Sequence, residues 1–110
     1  MQNTSSLKLN NDFRRLYSRG KSQAGAYVVV YALKSRRKCK RIGLTVGKSF
    51  GKAVKRNRMK RLMRESYRAI ERDIPDGYDF VIVARSRAIG TSMHQIRRDM
   101  EYVFGKLGLK

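Results

Sequence analysis

Apolar residues along this chain alternate between helical spacing and short continuous runs, and the alternation predicts the order of its elements. Phe13, Leu16 and Tyr17 follow i, i+3, i+4 spacing, which predicts a short first helix. Asp12 is expected to cap this helix at its start, and Gly20 is expected to end it.

Two further segments, residues 27–33 and 41–46, are rich in β-branched and aromatic side chains and predict strands that pair antiparallel. Helical spacing returns over residues 52–72, which precede a Pro-Asp-Gly turn at residues 75–77. Residues 79–85 then form a continuous apolar run, typical of a strand buried on both faces. Because a helix connects this strand to the one before it, we expect parallel pairing somewhere in the sheet.

The last helix has the clearest amphipathic pattern. Ser92 and Gln95 stand three residues apart at its start, which predicts a capping box. Its apolar positions share one stripe: Met93, Ile96, Met100, Val103, Phe104 and Leu107.

Together these elements predict an α+β fold, a small two-layer α/β sandwich in the order α-β-β-(β)-α-β-α. A length of 110 residues suits one domain spanning residues 1–110. Residues 1–10 are polar, and we expect them to be flexible.

Charge is the strongest signal in the composition. The chain has 27 Lys and Arg residues against eight Asp and Glu residues, a net charge of +19. Self-repulsion of this size destabilises a compact chain unless an anion is bound. The composition therefore predicts a polyanionic partner.

The second predicted helix carries the densest part of this charge. Eight basic residues and no acidic one lie between Lys48 and Arg64. At about 100° per residue, one arc of the helix is apolar and should face the sheet. That arc contains Met59, Leu62, Met63, Ser66 and Ile70.

The opposite arc predicts a basic stripe about 16 Å long, at about 1.5 Å per residue. The stripe consists of Asn57, Arg61, Arg64 and Arg68, with Arg58 and Lys60 on its flanks. An ordinary solvated helix face intersperses charges of both signs, but Glu65 is the first acidic residue of this helix. The stripe therefore favours polyanion binding, since guanidinium groups bind phosphate in a bidentate manner.

Aromatic residues favour RNA or another single strand as that polyanion, because unpaired bases stack on aromatic faces whereas duplex bases are hidden. Neither a helix-turn-helix nor a zinc-module pattern is present. Tyr27, Val29 and Tyr31 are expected to share one strand face, and Phe13 and Tyr17 lie one helical turn apart.

If the first helix meets the sheet face that carries Tyr31, an aromatic cleft results. Basic residues around Lys48 would form its rim. For Phe13 a place in the core is the alternative, whereas Tyr17 and Tyr31 are expected to be partly exposed because a buried phenol needs a hydrogen-bond partner.

The chain lacks the groups that protein-based RNA cleavage needs. It has one histidine, His94, and no plausible acid–base pair. Asp73, Asp76 and Asp79 are interpreted as helix-end and turn residues and not as a metal cage. Residues 47–51 do not have the spacing of a nucleotide-binding phosphate loop. We therefore predict neither catalytic residues nor a metal site in the protein.

The single cysteine, Cys39, excludes an internal disulfide. No apolar run reaches the length of about 20 residues that spans a bilayer, and no signal-peptide core is apparent. These features predict a cytoplasmic protein without a membrane partner.

Residues 53–65, Ala-Val-Lys-Arg-Asn-Arg-Met-Lys-Arg-Leu-Met-Arg-Glu, resemble the signature of the protein subunit of bacterial ribonuclease P. Residues 41–48 are similar to the hydrophobic strand and basic glycine loop of that family. Further similarities lie at residues 12–20 and 83–88, so that the resemblance covers residues 7–105. Phe50 departs from it, because an aliphatic residue is common there.

The resemblance implies a subunit of a ribonucleoprotein endonuclease that removes the 5′ leader of precursor tRNA. The catalytic subunit would be RNA, and this chain alone would be inactive. The resemblance also implies a left-handed βαβ crossover, an exception to the usual right-handed preference. Mg²⁺ would be held mainly by RNA phosphates, and no small-molecule substrate is implied.

Carried over by position, the resemblance implies two sets of binding residues. The set expected to bind the catalytic RNA consists of Arg56, Asn57, Arg58, Lys60, Arg61 and Arg64, to which the basic surface of the helix adds Lys52 and Arg68. The set expected to bind the single-stranded leader consists of Phe13, Tyr17, Tyr31 and Lys48.

The main alternative is a structural ribosomal-type RNA-binding protein or an RNA chaperone, which would share the size, the charge and the fold but would need no leader cleft. A cationic membrane-surface protein is disfavoured because its apolar helix faces are needed for the core. A stand-alone protein ribonuclease is disfavoured because the acid–base groups are missing.

Overall fold

The structure, a computed structural model, describes residues 4–109 of the chain. These residues form one five-stranded sheet and three α-helices. In chain order the elements are β1 (Thr4–Ser6), α1 (Asn10–Arg19), β2 (Lys21–Ala24), β3 (Val28–Lys34), β4 (Lys40–Thr45), α2 (Ala53–Ile70), β5 (Tyr78–Ala84) and α3 (Met93–Lys106).

The strands lie side by side in the order β1-β4-β5-β3-β2. β5 is the central strand. Its two edges pair with β4 and β3, and its apolar run is buried on both faces of the sheet. It pairs antiparallel with β3 and parallel with β4, in the register Arg41↔Asp79 to Thr45↔Val83. The expected parallel pairing across the helical crossover is therefore confirmed. The predicted antiparallel pairing of β3 with β4 is wrong, because β5 lies between them.

The main hydrophobic core lies between one face of the sheet and helices α2 and α3. Alternate residues of β3, Val28 and Val30, point into this core and are fully buried. The α+β class is confirmed. Helix α1 covers part of the opposite face, where Leu16 packs with Leu7 and Val81, so that the sandwich gains a partial third layer.

The amino-terminal segment departs from the prediction of flexibility over residues 1–10. Thr4–Ser6 form an edge strand that pairs parallel with β4, and Leu7 is buried beneath α1. Its polar composition conceals this role because an edge strand is held by backbone hydrogen bonds, such as Leu7 N–H to Ile42 O at 2.9 Å. Residues 1–3 of the predicted flexible segment lie outside the described part of the chain.

Helix ends agree with the sequence at two of three predicted positions. The Ser92–Gln95 capping box is present, and Gly20 ends α1 by donating its backbone N–H to Leu16 O. Asp12 does not cap α1, which begins after Leu9; the Asp12 side chain is drawn into ion pairs with arginines instead. In residues 4–109 no helix is both long and apolar enough to cross a membrane.

Candidate nucleic-acid interface

Helix α2 turns its apolar arc toward the core as its sequence predicts. Met59, Met63 and Ile70 are buried, and Ser66 is satisfied by donating to Leu62 O at 2.8 Å. Tyr67, which the predicted arc omitted, is also fully buried. Five side chains on this arc therefore fix the rotation of the helix about its axis.

The opposite arc lies in solvent, in the predicted arrangement. Asn57, Arg61, Arg64 and Arg68 are all exposed. Within residues 4–109, no ion pair joins any of these three arginines to a carboxylate. Their charges are consequently available to an external anion.

The remaining predicted residues of this set lie around the stripe. Lys52 is exposed immediately before α2 and Arg58 is exposed within it, whereas Arg56 and Lys60 are half-buried on its flanks. Gly51 precedes them with φ of 131°, a conformation that favours glycine, and this residue reorients the chain between the turn at Lys48–Phe50 and the helix.

The aromatic residues meet on the other face of the sheet, as the cleft hypothesis requires. The rings of Tyr17 and Tyr31 are 4.9 Å apart between centroids, at an interplanar angle of 87°. Tyr17 is 43% exposed, and its hydroxyl lies 3.5 Å from Thr45 Oγ1. Tyr31 is half-buried, so that the pair presents an edge-to-face aromatic surface to solvent.

Phe13 lies on the same face, over Gly43 of β4. A Cβ atom at position 43 would come 2.6 Å from Phe13 Cζ, closer than any side chain allows. The glycine therefore lets the ring approach the sheet, a role that a glycine within a strand signals in the sequence. Tyr27, expected on this face, packs against the main core on the opposite face.

The two predicted sets of residues meet at the edge of β4. Because β1 pairs only with Lys40–Ile42, residues 43–45 have no strand neighbour on that side within the described chain. A depression of about 180 Å³ opens there, with Phe13 on one side and Lys60 and Arg64 on the other. One aromatic residue of the predicted leader set and two basic residues of α2 thus line the same depression. Lys48 is exposed in the turn that follows β4.

A buried charge network holds α1 against the sheet. Arg41 donates to both carboxylate oxygens of Asp79, at 2.9 and 2.6 Å, and contacts Asp12 at 3.4 Å. These hydrogen bonds, those to Asp79 above all, raise the pKa of the Arg41 guanidinium above its ordinary value. Arg15 also pairs with Asp12, at 2.9 Å.

The same network corrects the interpretation of Asp79 as a turn residue. Asp79 lies within β5 and is 2% exposed, and Arg41 neutralises its charge. Asp73 and Asp76 do lie at a helix end and in the following turn, as predicted.

Metal-binding side chains are not grouped in the part of the chain that the structure describes. No three His, Cys, Asp or Glu residues there could hold one ion. His94 is exposed in the first turn of α3. Within residues 4–109, these side chains therefore provide no cluster of three ligands for Mg²⁺.

Comparison with known proteins gives consistent matches over most of the chain. Residues 1–108 match the family model described as Ribonuclease P. The ribonuclease P protein component of Clostridioides difficile (strain 630) is 47% identical over 83 residues, which cover 74% of this chain and 73% of that protein.

Two solved structures are also similar. A mutant of the Staphylococcus aureus RNase P protein with defective mRNA degradation activity has a TM-score of 0.86 at 32% identity, covering 96% of this chain and 89% of that one. The RNase P protein from Thermotoga maritima has a TM-score of 0.80 at 33% identity, covering 88% of this chain and 92% of that one.

Proposed function

The chain belongs to the bacterial ribonuclease P protein family, and on that premise we propose that it acts in the ribonucleoprotein that removes the 5′ leader of precursor tRNA. The observation that carries the proposal is the meeting of the basic helix and the aromatic surface at the open edge of β4. One surface suits a structured polyanion and the other suits unpaired bases, as a complex of RNA and single-stranded leader requires.

Helix α2 binds the catalytic RNA subunit. The exposed arginines neutralise phosphates, and the counterions released make the association strongly dependent on salt. Asn57 adds a donor and an acceptor within the same stripe. The residues assigned to this contact are Lys52, Arg56, Asn57, Arg58, Lys60, Arg61, Arg64 and Arg68.

The aromatic surface binds the leader. Phe13, Tyr17 and Tyr31 offer ring faces and edges against which successive unpaired bases stack, and Lys48 attracts the backbone. Mature tRNA has no leader to place there. The cleft therefore gives the precursor an affinity that the product lacks.

Cleavage itself is assigned to the RNA subunit, with Mg²⁺ held mainly by RNA phosphates. The protein contributes electrostatic neutralisation and substrate positioning, which raise the affinity for the precursor. From family membership we also propose that it raises the affinity of the complex for Mg²⁺.

Reconstitution tests this proposal. The protein is mixed with the ribonuclease P RNA of Clostridioides difficile at low Mg²⁺, and release of the 5′ leader is assayed. We expect cleavage by the mixture and little by either component alone. Equal cleavage with and without the protein would refute the proposal.

Similarity alone suggests a second candidate activity, mRNA degradation: one structural relative is a Staphylococcus aureus RNase P protein mutant with defective mRNA degradation activity, although the acid–base groups for such cleavage are missing from this chain. The corresponding experiment incubates an mRNA with this chain in the absence of any RNA subunit. Degradation that follows the protein through successive purification steps would establish the activity. Activity that separates from the protein would assign it to a contaminant.

A further inference from the structure

A groove separate from the aromatic surface lies beside the first half of α2. It is bounded by the turn at Lys48–Phe50, by α2 and by the loop that follows β5. Its volume is about 240 Å³. Because one water occupies about 30 Å³ of liquid, this space is far larger than a site for a single ordered water. We refer to it as the α2–β5 groove.

The floor of the α2–β5 groove is apolar. Phe50, Met59 and Ala88 line it and are at most 6% exposed, and Leu62 is half-buried beside them. Ile89 stands at the rim and is 48% exposed. Covering the exposed parts of Leu62 and Ile89 with a planar or aliphatic group is favourable because it removes apolar surface from water.

The rim is cationic. Lys55 and Arg58 line the groove and are exposed, and neither forms an ion pair with a carboxylate of residues 4–109. The stem of Lys55 would lie 3.2 Å from a Cβ atom on Gly51, so the missing side chain at Gly51 leaves room for it. The groove thus combines an apolar floor with two uncompensated positive charges.

Its position on α2 separates it from the leader surface. Lys55, Arg58 and Leu62 occupy positions i, i+3 and i+7 on one flank of the helix, whereas Lys60 and Arg64 face the depression on the other flank. The basic stripe lies between the two and shares Arg64 with the depression. An RNA that covers the stripe therefore reaches the α2–β5 groove without entering the aromatic cleft.

We propose that the α2–β5 groove receives one unpaired nucleobase of the RNA subunit, with Lys55 and Arg58 against the phosphates on either side of it. This inference rests on the proposed function, since it names the part of the partner RNA that the helix surface recognises. An unpaired base fits because it offers an apolar planar face and flanking negative charges together. A duplex hides its base faces and would contact only the rim.

Substitution at the rim tests the groove. Ile89→Asp places a negative charge where the base would enter, and its matched control is Leu9→Asp, which replaces a 65% exposed aliphatic residue before α1 with the same charge change. We expect Ile89→Asp to weaken binding to the Clostridioides difficile RNA subunit by about tenfold or more, the scale of losing one stacked base. Leu9→Asp should leave that affinity within about twofold of the unmodified protein, as expected for an exposed site outside the contact.

A benzophenone amino acid in place of Ile89 identifies the occupant. Photo-crosslinks are expected at one or two unpaired nucleotides of the RNA subunit. Equal affinities of the two Asp variants, or crosslinks to duplex segments, to the leader or to a second protein copy, would overturn the groove assignment. If the unmodified protein fails to bind the RNA subunit, the proposed function fails and this inference fails with it.

Discussion

Phe13 occupies the space in which a side chain at Gly43 would have to lie. A Cβ atom at that position would come within 2.6 Å of Cζ and 2.7 Å of Cε1 of the ring. The absence of a Cβ atom at Gly43 of β4 therefore allows the Phe13 ring its position at the proposed leader surface.

Gly43→Ala should displace the Phe13 ring and weaken leader binding. We expect the affinity of the reconstituted enzyme for precursor tRNA to fall by about tenfold, near the lower bound for losing one stacked base. Affinity for mature tRNA should be unchanged. Equilibrium binding of both RNAs measures the ratio. Gly105→Ala in α3 is the control, because its added Cβ would meet nothing within 4 Å; a similar loss in that variant would contradict the explanation.

Removing the aromatic rings themselves should weaken precursor tRNA binding more than Gly43→Ala does. In the double variant Phe13→Ala, Tyr31→Ala, binding of precursor tRNA should weaken much more than binding of mature tRNA. Tyr31→Phe keeps the ring that contacts Tyr17 and should retain most of the discrimination. Equal losses for both RNAs would remove the leader assignment and favour a general RNA-binding protein or chaperone.

Arg61→Gln and Arg64→Gln should impair assembly with the RNA subunit. Each loss of a phosphate contact is expected to reduce the slope of log affinity against log salt by about one. Affinity measured over a series of salt concentrations gives this slope. Arg97→Gln is the matched control, since Arg97 is exposed on α3 and already paired with Glu101 at 3.2 Å. An unchanged slope in the α2 variants would count against the helix assignment.

Tyr67 should make the stability of the fold sensitive to alkaline pH. Burial raises the pKa of its phenol to about 12 from an ordinary 10.0. The folded state holds this proton more tightly than the unfolded state. The protonated phenol therefore contributes to the free energy of unfolding fully below pH 10, and this contribution is lost as the pH rises toward 12. The free energy of unfolding should therefore fall more steeply over this range in the unmodified protein than in Tyr67→Phe. Chemical denaturation at several pH values provides the measurement.

The matched variant for that experiment is Tyr102→Phe. Tyr102 is 55% exposed on α3, so its replacement removes a tyrosine but keeps the buried one. This variant should follow the pH profile of the unmodified protein. If both variants show the same profile, burial of Tyr67 is not the cause of the alkaline loss.

The sequence predicted the local elements and the rotation of α2 well, because both follow from short-range periodicity. Met59, Met63 and Ile70 recur with the period of a helix and therefore identify its buried face. Tyr67 was missed because, at about 100° per residue, it lies about 40° beyond Met63, outside the predicted arc. The exposed stripe followed directly once the buried face was known.

Relationships between distant residues could not be predicted in this way. Asp12 and Asp79 look like cap and turn residues in the sequence, and only the fold brings both to Arg41. The order of strands also depends on pairing between distant segments, since β5 lies between β4 and β3. Thr4–Ser6 carry no strand pattern of their own, and their role becomes visible only beside β4. The assignments of individual residues to RNA subunit and leader remain predictions.

The central position of β5 has a consequence for how the chain acquires its structure during synthesis. β5 is the last of the five strands to emerge from the ribosome, yet β3 and β4 are joined in the sheet only through it. The sheet therefore cannot close until residues 78–84 have been made. Pairing across such sequence separations slows folding relative to helix formation. The basic residues between Lys48 and Arg64 are therefore synthesised before the sheet that positions them can be completed.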